Sequence, residues 1–388
     1  MKSIHKIVVA SDSFKGSLTS SGVARAVESG IRDIFPECEV TTVEIADGGE
    51  GTSQAVLKML GGEKYKVTVH DPIGRLKEAT YLICVIDGTR TAVIETAEAS
   101  GLTLLAPEER NPLITSTYGT GEMIMHAYGQ GCRKFIIGLG GSATNDGGTG
   151  MLEAMGFRFI DKNNNAIERC CGGKLHEIVS IDGSDVPPDL MKSEFIAACD
   201  VDTPFCGKEG ASFIFSPQKG ADAHMTGLLE EGMVSFAGVI KRQYGIYLSE
   251  IPGSGAAGGV AGGLHALIGS RLVKGIEMLL DMAGFEELIK DADLIITGEG
   301  KADFQTLKGK VPAGVVKKAK KFDIPVICIC GISEIDKDTA TKAGFKEIVV
   351  IQPHPLNNEE MANAMIPETA TQNIKTTISK YLRDFSNF

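Results

Sequence analysis

Apolar residues near both ends of the chain follow the spacings of strands and helices in turn. Residues 6–10 and 325–329 are nearly continuous apolar runs, which predict strands covered on both faces. Similar runs predict strands over residues 39–45, 294–297 and 347–351. Apolar residues three and four positions apart predict helices over residues 17–35, 51–60, 278–289, 313–320 and 361–382. This alternation predicts a parallel sheet with loops at the carboxyl ends of its strands.

The middle of the chain has a different pattern. Residues 65–69, 78–86 and 91–95 are strand-like and separated by short turns, which predicts an antiparallel meander. Beyond it, the pattern predicts helices over 119–129, 149–155 and 256–269 and strands over 134–138, 157–161 and 195–199. We therefore expect an α/β domain formed by residues 1–64 and 256–388, with a mixed α/β domain of residues 65–255 inserted into it.

Composition is that of a globular protein and narrows the class of partner. The 388 residues are 43% apolar and 23% charged, with a formal net charge of −11. This charge argues against nucleic acid as a partner.

No apolar run reaches the ~18 residues of a membrane span, and the first run is too short for an export signal. The nine scattered cysteines lack a C-x-x-C pair, so we expect free thiols in the cytoplasm. A homo-oligomer is left open.

The first predicted strand is followed by a polar loop, residues 11–17. Lys15 in this loop is a compact cation suited to phosphate or carboxylate, and helix N-termini add donors to anions. The alternative is an ordinary helix start, with Ser17 or Thr19 as N-cap and Lys15 solvated.

A second polar loop, residues 46–52, follows the second predicted strand. Asp47 and Glu50 flank the pair Gly48 and Gly49, and such acids can hold Mg²⁺ through water or accept a hydroxyl proton. A turn with Glu50 near a helix N-terminus is the alternative.

A glycine-rich loop, residues 138–148, joins a strand to a helix. Its successive backbone N–H groups can bind an anion, with hydroxyls from Ser142 and Thr144. Its start also fits G-x-G-x-x-A, with Asp161 at the spacing of a dinucleotide fingerprint. Against that alternative, residues 144–148 intervene where the fingerprint requires a helix to begin.

Three further segments carry small or charged residues. Residues 253–259 match G-x-G-x-x-G without a preceding strand, so we expect close helix packing or close approach to a ligand. Residues 296–303 end a strand with Glu299 and Asp303, near Lys310; a polar turn is the alternative. Asp200 and Asp202 leave another strand on the same side and could hold Mg²⁺ or orient a hydroxyl.

Several familiar sites are missing from the sequence. Nothing fits G-x-x-x-x-G-K-[ST], which excludes a P-loop, and no G-x-S-x-G elbow is present. The seven histidines show no metal-ligand spacing.

Taken together, six segments resemble the type-I glycerate kinases in order and spacing. They are residues 12–16 (DSFKG), 46–52 (ADGGEGT), 138–148 (GLGGSATNDGG), 217–221 (PQKGA), 255–259 (GAAGG) and 296–300 (ITGEG). The resemblance covers nearly the whole chain and implies ATP- and Mg²⁺-dependent phosphorylation of D-glycerate to 2- or 3-phosphoglycerate. It also implies a flavodoxin-like (Rossmann-like) parallel-sheet domain with an inserted restriction-endonuclease-like mixed α/β domain. Ser11 and Thr203 depart from the residues that the family often has there.

This reading assigns hypothetical roles to individual residues. Lys15 would bind the transferring phosphate or the glycerate carboxylate, and Asp12 or Asp202 would orient the attacking hydroxyl. Mg²⁺ would be held by Asp47 and Glu50, with Asp202 as a further candidate. The residues expected to bind substrate or nucleotide are Ser13, Gly48, Gly49, Gly140, Gly141, Ser142, Thr144, Asn145, Gly298 and Glu299.

Two other classes of function are compatible with parts of the sequence. A nicotinamide-dependent hydroxy-acid dehydrogenase would use the glycine-rich loop for a dinucleotide, and a sugar-acid sensor would bind glycerate without turnover. Acids beside glycine loops favour the kinase, because a sensor has no need of metal-binding carboxylates. The sequence does not decide between the 2- and 3-hydroxyl as phosphate acceptor.

Overall fold

The structure, a computed structural model, describes residues 4–45, 52–307, 309–352 and 358–385. The chain divides into two compact units: Met1–Asp47 with Ile276–Phe388 form unit 1, and Gly48–Gly275 form unit 2. In sequence, unit 2 separates the two segments of unit 1.

The strands and helices of the described residues are labelled in chain order. The strands are β1 (Lys6–Ser11), β2 (Glu39–Glu44), β3 (Glu63–His70), β4 (Leu76–Ile86), β5 (Thr89–Glu95), β6 (Lys134–Gly138), β7 (Arg158–Ile160), β8 (Ser180–Asp182), β9 (Glu194–Ala198), β10 (Arg271–Val273), β11 (Leu294–Ala302), β12 (Val326–Ser333) and β13 (Glu347–Val350). The α-helices are α1 (Ser20–Arg32), α2 (Thr52–Leu60), α3 (Ala97–Ser100), α4 (Tyr118–Gly129), α5 (Thr149–Ala154), α6 (Pro188–Met191), α7 (Ala211–Phe215), α8 (Ala223–Tyr244), α9 (Ala256–Ile268), α10 (Gly275–Met282), α11 (Phe285–Ile289), α12 (Val311–Ala319), α13 (Lys337–Ala343), α14 (Asn358–Ala364) and α15 (Pro367–Phe385).

Unit 1 contains a parallel sheet in the order β13-β12-β11-β1-β2. Every pair of neighbouring strands in it is parallel. Read from β2, this is the 2-1-3-4-5 order of flavodoxin-like sheets, in which ligands bind beyond the carboxyl ends of the strands where the order reverses. Here that switch point lies between β1 and β11.

Alternating residues of β1 enter two apolar cores on opposite faces of this sheet. Ile7 and Val9 pack with residues of α1 and α15 on one face. Val8 and Ala10 pack with residues of α11 and α12 on the other. Burial on both faces explains why the strand is a continuous apolar run.

Unit 2 contains a mixed sheet in the order β10-β9-β6-β5-β4-β3. The strands β3, β4 and β5 form the predicted antiparallel meander, and β5, β6, β9 and β10 are parallel neighbours. The predicted α/β class, with a parallel sheet and a second mixed region, is confirmed. The restriction-endonuclease-like layout stays a prediction.

Two helices that the sequence predicts as continuous are broken. Residues 278–289 fall in α10 and α11, which separate at Gly284, whose φ of 60° lies in the left-handed region. Residues 361–382 fall in α14 and α15, and the second of these begins at Pro367, which disfavours helix at the residue before it. The apolar pattern also did not predict α3, α6, α7, α8, α13, β8 and β10.

The boundaries of the two compact units fall at different residues from those of the predicted domains. The predicted boundaries are 64/65 and 255/256, whereas the units meet in sequence after Asp47 and Gly275. The shift follows from packing, because α2 packs on β4 and β5, and α9 packs on β9 and β10. The predicted domain division stays a prediction.

The sequence also predicts that the chain has no membrane-spanning segment and that its cysteines are free thiols. Among the described residues, no helix is long and apolar enough to cross a membrane. The nine cysteines are free thiols, as predicted, and all except the half-buried Cys206 are buried.

Candidate active site

A cavity of about 280 Å³ opens at the carboxyl ends of β1, β11 and β12 in unit 1. It lies at the switch point of the parallel sheet, the usual ligand position in this class of fold. Its wall includes three residues predicted from the first loop, which are Asp12, Ser13 and Lys15, and Glu299 from β11. The structure thus brings together four of the predicted site residues.

The loop that carries Asp12 is fixed by backbone hydrogen bonds. The Asp12 N–H donates to the Gly298 carbonyl oxygen (2.9 Å), and the Ser13 N–H donates to Asp12 Oδ1 (2.6 Å). The Thr19 hydroxyl oxygen accepts from the N–H of Gly22 (3.1 Å), so Thr19 is the N-cap of α1. This loop therefore caps α1 and also forms part of the cavity wall, which Lys15 lines.

Gly298 holds the loop at the cavity wall through its carbonyl group. Its carbonyl also accepts from Ser11 Oγ (3.0 Å), and a Cβ at this position would lie 2.6 Å from the Ile329 side chain. Close packing of β11 against β12 therefore requires glycine here. Gly298 was predicted to bind substrate or nucleotide, and its role in direct binding stays a prediction.

An ion pair between a buried carboxylate and a half-buried lysine lies in the cavity wall. Glu299 is 5% exposed, and Lys310 Nζ donates to its Oε2 (3.0 Å). Asp303 Oδ1 lies 4.0 Å from the same Nζ. The other carboxylate oxygen, Glu299 Oε1, is buried without a hydrogen-bond partner among the described residues. Because buried polar atoms are normally paired, this oxygen is a candidate ligand atom.

The glycine-rich loop, residues 138–148, lies in unit 2. Gly141 is exposed and Gly140 half-buried, so their backbone is open to a ligand. The side chains of Thr144 and Asn145 are fully buried, and Thr144 Oγ1 and Asn145 Oδ1 lack hydrogen-bond partners among the described residues. The following helix begins only at Thr149, which agrees with the objection to a dinucleotide fingerprint.

The buried side chain of Lys219 binds two groups of this loop. It is 3% exposed, and its Nζ donates to Ser142 Oγ (2.9 Å) and to the Thr144 carbonyl oxygen (2.6 Å). Burial lowers the pKa of the Lys219 ammonium to about 7, and the nearby Asp146 opposes that shift. Lys219 was not among the predicted site residues, although it lies in the segment 217–221 that carries part of the resemblance.

Asp146 anchors the same loop to the helices around it. Its carboxylate accepts hydrogen bonds from the Thr117 N–H (2.8 Å), the Thr117 hydroxyl (2.7 Å) and the Gly148 N–H (3.1 Å). Complete burial raises the pKa of Asp146, and these hydrogen bonds act in the opposite direction. The loop is thereby held by groups within unit 2.

Glycines of α9 let this helix approach the loop closely. A Cβ at Gly258 would lie 2.1 Å from the Thr144 carbonyl oxygen, and one at Gly263 would lie 2.2 Å from the Gly147 oxygen. Gly147 N–H also donates to the Gly258 carbonyl (3.0 Å). Gly258, in the segment 253–259, therefore permits close helix packing, which is one of the two roles expected for these small residues.

Acidic residues stand at the carboxyl ends of the parallel strands of unit 2. Asp200 accepts from the Gly275 N–H (2.9 Å). Asp202 is 66% exposed and pairs with Lys274 Nζ at 2.5 Å. Glu95, at the end of β5, accepts from the N–H and hydroxyl of Ser53 (2.9 and 2.6 Å). Glu95 and Lys274 were not among the predicted site residues. The predicted strand over residues 91–95 ends at Glu95, and that position was the signal that could have identified it.

The predicted second loop cannot be placed in the same way. Asp47, Gly48, Gly49 and Glu50 lie outside the described residues. Within the described ranges, no group of three or more His, Cys, Asp or Glu side chains is arranged to hold a metal.

Comparison with known proteins gives one consistent family. The Glycerate kinase family profile matches residues 7–386. A glycerate kinase of Halalkalibacterium halodurans is 46% identical over 84% of this chain and 86% of its own. A glycerate 2-kinase of Escherichia coli is 45% identical over 84% of this chain and 85% of its own. A crystal structure provisionally assigned as glycerate kinase 2 of Salmonella typhimurium LT2 is 39% identical, with a TM-score of 0.82 over 99% of both chains. The chain belongs to the glycerate kinase family.

Proposed function

We propose that this protein is a kinase that transfers the γ-phosphate of ATP to D-glycerate. The observation that carries the proposal is similarity to named glycerate kinases at 45–46% identity over most of both chains. The cavity at the switch point supports it, because its wall combines three lysines with acidic groups, including Lys15 and Glu299.

The residue roles follow from the needs of phosphoryl transfer, which depends mostly on positioning and charge neutralisation. We assign Lys15 to the transferring phosphate or the glycerate carboxylate. The exposed backbone of Gly140 and Gly141 is assigned to an anionic group of either substrate. Either Asp12 or Asp202 orients the attacking hydroxyl.

Mg²⁺ is compatible with the described residues. This ion usually takes one or two carboxylates from a protein and completes its shell with water and substrate phosphates, so a cluster of three acids is not required. Glu299 Oε1, which has no hydrogen-bond partner in the part of the chain that the structure describes, is one suitable oxygen, and Asp47 and Glu50 are proposed as further ligands. When bound, Mg²⁺ would neutralise charge on the phosphates.

We further propose the 2-hydroxyl as the acceptor, since the Escherichia coli relative is named glycerate 2-kinase. Phosphorus NMR of the product distinguishes the two outcomes. A phosphate on the 2-position couples to one proton and gives a doublet, whereas one on the 3-position couples to two and gives a triplet. A triplet would overturn the 2-hydroxyl assignment and leave the kinase activity standing.

The activity itself is tested by ADP release over a panel of small hydroxy acids, including D-glycerate, L-glycerate, tartronate and lactate. We expect ADP release with D-glycerate that depends on added Mg²⁺. Absence of ADP release would overturn the kinase. A change in absorbance at 340 nm with a nicotinamide cofactor would instead support a dehydrogenase.

A further inference from the structure

The cavity in unit 1 has two chemically different halves. One half is charged and includes Asp12, Lys15, Glu299 and Lys310. The other half is formed by the ends of β12 and β13 and by α14 and α15. It is lined by Ile332, Ile351, Gln352, Met361, Met365 and Ala370. A ligand that matches the whole cavity therefore needs an apolar part and a charged part.

The apolar half does not match a three-carbon hydroxy acid. Every carbon of glycerate carries oxygen, so it would leave the surface formed by Ile351, Met361 and Met365 without an apolar partner. The volume of about 280 Å³ is close to the lower bound of roughly 300 Å³ for pockets that enclose drug-sized ligands. The cavity thus has room for a ligand the size of a nucleoside.

A purine nucleotide has the required order of chemistry. Its flat base is an apolar surface, its ribose is polar and its phosphates are anionic. Isoleucine and methionine pack well against flat rings, and methionine sulfur makes favourable contacts with them. Asn373 Nδ2 donates to Gln352 Oε1 (3.1 Å), which orients the amide of Gln352 in the cavity lining.

We infer that the adenine and ribose of ATP bind in the apolar half of the unit 1 cavity, with the phosphates on the side of Lys310 and Lys15. Lys310 is held in place by its ion pair with the buried Glu299. It also stands at the N-cap of α12, where the first backbone N–H groups of the helix add to an anion site. This inference rests on the proposed kinase function and adds the subsite for the nucleoside.

The test introduces a tryptophan at one of two neighbouring residues. Met365→Trp places a large ring in the apolar half, and Ile366→Trp, at the next residue, is the matched control because Ile366 does not line the cavity. Both side chains are partly exposed, at 42% and 45%, so neither variant forces a ring into a packed core. Binding of ADP to the full-length protein is measured by calorimetry without glycerate.

We expect Met365→Trp to weaken ADP binding by about tenfold or more, a loss of about 1.4 kcal/mol. Ile366→Trp should bind ADP as the wild type does, and the KM for D-glycerate at saturating ATP should stay within about twofold in both variants. Unchanged ADP affinity in Met365→Trp would overturn the inference. So would a rise in the KM for glycerate with the KM for ATP unchanged, because the cavity would then hold the hydroxy acid.

A second measurement covers the case in which Met365→Trp does not fold. The wild-type protein is photolabelled with 2-azido-ATP and the labelled peptides are identified by mass spectrometry. Label within residues 331–370 that unmodified ATP suppresses supports the inference, and label confined to unit 2 overturns it. Failure of the kinase proposal is read separately, as absence of ADP release by the wild type with D-glycerate.

Discussion

Lys15 follows the first strand of unit 1 and contributes a positive charge to the cavity wall. Lys15→Ala is expected to lower kcat by about 10²–10³-fold, the usual cost of removing one charge-stabilising group from a transition state. The melting temperature should not change, because the side chain is exposed and packs in no core. Steady-state kinetics and a thermal melt measure the two effects.

The control for this variant is Lys317→Ala, which removes another exposed lysine of unit 1 that pairs with Glu277 and lies outside the cavity lining. Its kcat should equal that of the wild type. Near wild-type turnover in Lys15→Ala would remove Lys15 from the mechanism.

Lys219 makes stability depend on pH in a predictable direction. The pKa of its ammonium is about 7 in the folded protein against 10.5 ordinarily, so between these values the unfolded chain binds a proton that the folded protein does not. The free energy of unfolding therefore gains up to about 1.4 kcal/mol per pH unit from this site as pH rises from 7 to 10.5. Below pH 7 the site contributes no further change.

Lys219→Met should remove that contribution. Urea denaturation at several pH values between 7 and 10 measures it as the difference between wild type and variant, which should grow with pH. Lys192→Met, which changes an exposed lysine of the same unit, should keep the wild-type slope. Equal slopes in wild type and Lys219→Met would show that Lys219 titrates normally.

Individual site residues were predictable where local sequence decides their position. Asp12, Lys15 and Glu299 follow strands whose continuous apolar runs locate the carboxyl edge of the sheet, and they do line one cavity. Lys219 was not predictable as a buried residue, because lysine is almost always exposed and its partners at Ser142 and Thr144 are distant in sequence. The burial of Thr144 likewise depends on α9, which no local pattern near residue 144 reveals.

At the scale of elements, the contact of α9 with the glycine-rich loop makes a sharp prediction. Gly263→Ala puts a methyl group 2.2 Å from the Gly147 carbonyl oxygen, so it should destabilise the protein by about 1–3 kcal/mol and lower kcat by shifting the loop. Gly227→Ala in α8 meets no atom within 4 Å and should stabilise the helix by about 0.5–1 kcal/mol.

Urea denaturation of both variants tests this pair, since each exchanges one helical glycine for alanine. Opposite signs support close packing as the reason for glycine in α9. Stabilisation of both variants would mean that the loop yields to the added methyl group.

Elements with strong periodicity were predictable, and breaks within them were not. The strand predicted over residues 134–138 coincides with β6. The division between α10 and α11 depends on the left-handed backbone of Gly284, and glycine is tolerated within many helices. The 22-residue α8 was missed although Asp222 caps it, with its side chain accepting from the Met225 N–H.

At the scale of the molecule, unit 2 is a continuous stretch of chain with its own apolar core. That core includes Phe135, Phe159, Phe205 and Phe236, all fully buried within residues 48–275. We expect this segment, expressed alone, to unfold cooperatively in urea, as an independent domain does. A gradual transition, or dye binding typical of a loosely packed state, would contradict that expectation.

The pairing of β1 with β11 determines the order in which the protein can fold during its synthesis. Ser11 Oγ donates to the Gly298 carbonyl, 287 residues later in the chain. At ~5–20 residues per second, the ribosome needs about 15–60 s to make that stretch. During this time β1 has β2 on one side and an open edge on the other, and the synthesis of unit 2 is complete before β11 is made. Unit 2 should therefore fold first, and the nascent β1 edge is the part of the chain most in need of a chaperone.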